Sequence, residues 1–174
     1  MTHNEAQRLH DLADYVLLNA VALPSSGLAQ GKAGGALALF EAGTLLGDEA
    51  LEDGAFDLLQ EALLSQVAEP GWQSGWAGIG RVLLHVVRAG MLEADFDELF
   101  GEKLPELRRR VNEVLQKDAK RAGEIAPDVW HMVLLFDAVG DPASLDTRDA
   151  LLQRMEDKLS AAFADLQRHP WTGG

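Results

Sequence analysis

The side chains able to do chemistry are few and scattered. The 174-residue chain has no cysteine, which removes thiolate nucleophiles, thiolate metal ligands and disulfides together. Its five histidines, His3, His10, His85, His131 and His169, form no HExxH motif and no i, i+4 pair, so a histidine metal site is not expected. His85 and His131 lie in apolar stretches, where a hydrogen-bonded core histidine is the commoner outcome than a catalytic base. Glu41 and Asp137 are acids in similar surroundings. A glycosidase needs two carboxylates flanking a cleft, and with no such pair visible a capped or salt-bridged carboxylate is expected at each. No Gly-x-Ser-x-Gly elbow occurs, and Gly31-Lys32 lacks the following Ser or Thr of a phosphate-binding loop.

Glycine spacing carries more information. Gly27-Leu28-Ala29-Gln30-Gly31-Lys32-Ala33-Gly34-Gly35 is echoed by Trp72-Gln73-Ser74-Gly75-Trp76-Ala77-Gly78-Ile79-Gly80, so that Gly31 and Gly34 return 44 residues later as Gly75 and Gly78. That period holds one helix-turn-helix pair. Glycine costs a helix roughly 0.5–1 kcal/mol against alanine, so two in a first turn require a cause. One is close packing of helix starts; the other is a rim whose free N–H groups receive an anion or a peptide. The candidate rim comprises Gln30, Lys32, Trp72, Gln73, Trp76, Trp130 and His131, with indoles that either pack or stack on a peptide or sugar. A third copy is eroded near Gly123 to Trp130, and Pro170 to Gly174, with Trp171, resembles the motif beginning again.

Seven helical stretches position these residues. Leu9 to Val21, Leu51 to Leu63, Leu104 to Leu115 and Leu152 to Leu166 are amphipathic, with apolar residues three and four apart. Ala36 to Leu46, Ile79 to Ala89 and Val129 to Val139 are apolar nearly all round and must be enclosed. The order is outer, inner, outer, inner, outer, inner, outer: an all-α fold of tandem helical hairpins, read as a single domain over residues 1–174. Gly47 before Asp48, and Asp141 before Pro142, mark helix limits.

Net charge is −13 and pI about 4.6, which argues against nucleic acid and anionic membrane surfaces as partners. Seven of the fifteen basic residues fall between Lys103 and Arg121. Such a run is usually a solvated helix face; the alternative is a docking patch for an acidic partner, centred on Arg108, Arg109 and Arg110. Met1 to Gln7 is not a secretion signal and no apolar stretch could span a membrane, so a cytoplasmic location is expected.

The glycine words resemble the lanthionine synthetase C-like family, clearest over Leu12 to Gln116. Gly27 to Gly34 and Gly75 to Gly80 match the Gly-Leu-x-x-Gly-Lys-x-Gly and Gly-x-x-Gly-Ile-Gly segments of a small bacterial group within it. The resemblance implies an α/α toroid with glycine-rich inner-helix starts, here a partial, open one of about seven helices whose ends are capped by the terminal helices or covered in a homodimer. Catalytic members hold zinc through a Trp-Cys-x-Gly cysteine and a Cys-His pair. Those places are Trp72-Gln73 and Ala29-Gln30 in this chain, so no zinc or other cofactor is expected, and no cyclase chemistry. The resemblance implies a non-catalytic binding or scaffold protein acting on a peptide or protein partner in bacterial peptide modification. Alternatives are a zinc-independent enzyme acting on a peptide or sugar, and an immunity-type interaction module.

Overall fold

The computed structural model describes residues 1–65, 70–117 and 128–168, and among these every regular element is helical. The chain divides into two compact units, Met1–Pro105 and Glu106–Gly174. Among the described residues no helix is long and apolar enough to cross a membrane.

In the first unit α1 (His3–Ala20) opens on a capping box: the Thr2 hydroxyl accepts from the Glu5 N–H, and the Glu5 carboxylate accepts from the Thr2 N–H at 2.7 Å. α2 (Lys32–Leu46) and α3 (Glu49–Leu64) form a tight hairpin. Gly47 supplies the left-handed turn at φ 66°, and the Asp48 carboxylate then accepts from the N–H groups of Ala50 and Leu51. α4 (Trp76–Arg88) follows, then a short α5 (Phe96–Phe100) and one 3-10 turn, Gly101–Lys103. The core is built from Ala36, Leu39 and Phe40 of α2, Leu51, Ala55, Leu58 and Leu59 of α3, and Ile79, Val82, Leu83 and Val86 of α4. Each fully buried large side chain contributes about 1.5–3 kcal/mol.

α1 departs from expectation. Of the apolar face its spacing predicts, Ala13 and Ala20 are buried and Leu9, Val16 and Leu17 half-buried, while Leu12 and Val21 are exposed; Tyr15 and Leu18, off that face, are exposed as well. α1 packs on α2 and α3, with Ala20 and Val16 against Gly35 and Leu17 against Gly54.

α6 (Leu104–Lys117) begins at the boundary between the units and buries Leu104, Leu107 and Val111. In the second unit α7 (Asp128–Val139) pairs with α8 (Pro142–Arg168). Their junction follows the expected punctuation: Gly140 turns at φ 77°, and Asp141 accepts from the N–H groups of Ala143 and Ser144. Met132, Val133, Leu135 and Phe136 of α7 are buried with Leu151 of α8. α8 has 27 residues against 12 in α7. Leu152, Leu159 and Phe163, expected on a covered stripe, are exposed; Leu159 and Phe163 lie in the part of α8 beyond the length of its partner helix.

Candidate binding site

The two glycine words fold into the same object twice. Ahead of α2 the chain curls back so that the N–H groups of Lys32, Ala33 and Gly34 donate to the carbonyls of Ser25, Ser26 and Gly27. Ahead of α4 the Ala77 N–H donates to the Pro70 carbonyl, which is the Ala33–Ser26 bond displaced by one repeat. The Leu28 carbonyl oxygen sits 2.0 Å from where a Gly34 Cβ would be, and the Trp72 carbonyl oxygen stands in the same relation to Gly78. These glycines therefore make room for the carbonyl of the loop that precedes their own helix. The alternative reading, in which first-turn N–H groups stay open to an anion, does not hold for α2, where the loop carbonyls of Ser25, Ser26 and Gly27 occupy them.

The two loops meet through main-chain atoms. The Ala29 N–H donates to the Gln73 carbonyl at 2.8 Å, and Gly27 lies so close to Gln73 and Ser74 that any side chain there would strike their backbone. Beside this joint Gln30 is exposed and held at φ 54°, a left-handed conformation that costs a residue with a side chain roughly 1–2 kcal/mol.

The candidate rim is thereby reduced. Gln30 and Gln73 are exposed and Trp72 is half-buried at the joined loops. Lys32 is engaged with Glu61 of α3. Trp76 is 8% exposed, edge-on to Phe100 at 5.8 Å, with the Lys103 ammonium 4.5 Å from its ring centre. It is a core residue with a cation on its face, not an open stacking surface. Trp130, 49% exposed, and His131, half-buried, belong to α7 in the second unit. Trp171, His169, the eroded repeat from Gly123 to Pro127 and the closing Pro170 to Gly174 lie outside the described residues.

Within the basic run, Arg108, Arg109 and Arg110 are paired with acids. Arg109 pairs with Glu106 and Glu113, and Arg110 with Glu106. Hydrogen bonds from Arg109 and then Arg110 pull the Glu106 carboxyl down from 4.5 to about 2. Arg108 is 19% exposed and donates to Asp141 at 3.4 Å and to the Ser144 hydroxyl at 3.1 Å. Burial pushes the Asp141 carboxyl up, but the Ser144 hydroxyl and N–H, the Arg108 charge and the Ala143 N–H outweigh it and hold it below its usual value. Arg108, Arg109 and Arg110 thus hold carboxylates of their own unit, as a solvated and structural face does.

Two arrangements escaped the sequence reading. Glu41 Oε1 lies 2.9 Å from His85 Nε2, joining α2 to α4. Both side chains are half exposed, so His85 is no core histidine, and Glu41 is a carboxylate hydrogen-bonded to its ring. Asp137 is bridged likewise, by Arg148 at 2.6 Å. The signal for the first pair was present, since Glu41 and His85 each stand ten residues past the glycine that caps their helix (31 to 41, 75 to 85). The other arrangement is His10, which lies 3.2 Å from both Asp14 and Asp48 in a shallow hollow of about 540 Å³ between the start of α1 and the α2–α3 turn. Among the described residues no three His, Cys, Asp or Glu side chains converge as a metal site requires.

Compared with known proteins, the chain matches no family model, no curated protein and no solved structure.

Proposed function

We propose that the chain is a non-catalytic binding or scaffold protein of lanthionine synthetase C-like type, taking a peptide or protein partner in bacterial peptide modification. One observation carries this reading: Ala29-Gln30 and Gln73, the places where the resembled family keeps its zinc ligands, are adjacent, linked by the Ala29–Gln73 main-chain hydrogen bond. The family's site geometry is thus supported without its donors, because alanine and glutamine supply neither thiolate nor imidazole. The strained, exposed Gln30 beside the joint is further support, as such backbone outliers gather at ligand-binding sites. Exposed apolar side chains on α1 and α8 give a protein partner or a second copy surface to cover.

The test uses the whole protein and a synthetic peptide carrying dehydroalanine and cysteine. Binding without thioether formation, by protein purified with no stoichiometric zinc, is expected. Cyclisation, or one zinc per chain, overturns the non-catalytic reading. A triple variant, Ala29→Cys, Gln30→His and Gln73→Cys, tests the correspondence itself and is expected to acquire one tightly held zinc or cobalt ion. Failure of the folded variant to do so breaks the match between these positions and the family's ligands.

A further inference from the structure

We propose that protonated His10 is a pH-dependent latch that fastens α1 to the α2–α3 turn by bridging Asp14 and Asp48. The ring stands between two carboxylates, its Nδ1 3.2 Å from Asp14 Oδ2, one turn on in α1, and its Nε2 3.2 Å from Asp48 Oδ2. Carboxylates only accept, and a neutral imidazole carries a single N–H, so a neutral ring turns a lone pair towards one of them. The imidazolium presents an N–H and a share of positive charge to both. Asp48 is itself fixed, because its Oδ1 accepts from the Ala50 and Leu51 N–H groups. Asp14 orients the ring, and Asp48 is what the ring is fastened to.

The surroundings are acidic on balance. Around the hollow, α3 contributes Glu49 from its first turn, α2 contributes only Leu46, and α1 adds His3 and Gln7, the latter occupied with Asp11. What is latched gives the contact its weight. Of the 18 residues of α1 only Ala13 and Ala20 are fully buried, so an ion pair that adds little to a well-covered helix counts for more here. Taking up the proton and docking α1 favour each other. The helix is therefore held more firmly as pH falls through the ordinary histidine range, about 6.5, and more loosely above it. The latch rests on neither the Gln30–Gln73 joint nor the family resemblance.

The experiment follows hydrogen exchange of the α1 amides in full-length protein from about pH 8 to about pH 5.5, corrected for the intrinsic pH dependence of exchange. Protection is expected to rise about threefold on acidification, and the rise to vanish in His10→Gln. Asp48→Asn keeps a good helix cap while removing the charge, and is expected to lose the rise as well. His3→Gln and His85→Gln are expected to keep it. A flat profile, a rise that survives His10→Gln or Asp48→Asn, or its loss in His3→Gln or His85→Gln overturns the proposal.

Discussion

In the first unit two helices are begun by main-chain packing: a loop carbonyl lies on a glycine six residues further on, in α2 and again in α4. In the second unit the turn from α7 to α8 is held by side chains, with Asp141 capping α8 while Arg108 reaches Asp141 and Ser144. Both devices satisfy the orphan groups at a helix terminus. They fail in different ways, because the first has no room to give and depends little on charge, whereas the second has room but needs its carboxylate ionised.

The sharpest way to break this contrast is to add one methyl. Gly34→Ala or Gly78→Ala forces a carbon against a backbone oxygen that cannot rotate away, and a loss of about 3 kcal/mol or more is expected in denaturant unfolding. Gly101→Ala, whose nearest contact is 3.7 Å away, is the control and is expected to be neutral or slightly stabilising. Equal effects at Gly34 and Gly101 would erase the distinction.

The second unit answers instead to charge. Asp141→Ala removes a helix cap and a partner of Arg108 together, and a loss of about 2 kcal/mol is expected, read as earlier melting of α7–α8. Carboxyls held below their ordinary values stabilise the fold above those values and lose that contribution as pH falls through the depressed ones. Asp141 and Glu106 are both in this state, Glu106 at about 2. Acidification from about 4.5 towards 2 is therefore expected to loosen the second unit, measured by helical circular dichroism, with a shallower response in Asp141→Ala. An unchanged acid response in that variant removes Asp141 from the account. The smallest effect is at Gln30→Gly, which relieves the left-handed backbone and is expected to gain about 1 kcal/mol in melting experiments.

The helices are legible wherever local spacing decides them. Leu51, Ala55, Leu58, Leu59, Ala62 and Leu63 share one apolar face by their spacing and are all buried on α3. Apolar composition alone starts α2 and α4 late, at Ala36 and Ile79, because the glycine words themselves form the first helical turn from Lys32 and Trp76. Trp76 falls on an open rim in the sequence for a non-local reason: its burial depends on Phe100, in a five-residue helix too short for periodicity to announce. Asp95, which caps that helix by accepting from Asp97 and Glu98, is the one local hint. The coverage of α1 and of the far half of α8 is likewise invisible, since amphipathic spacing says which face is greasy and not whether a neighbour arrives.

The bond between Ala29 and Gln73 involves no side-chain atom. The joint consequently survives wholesale exchange of the residues that decorate it, and metal donors at these places could be gained or shed without dismantling the helices beneath. A scaffold jointed in this manner separates architecture from reactivity and leaves each free to change alone.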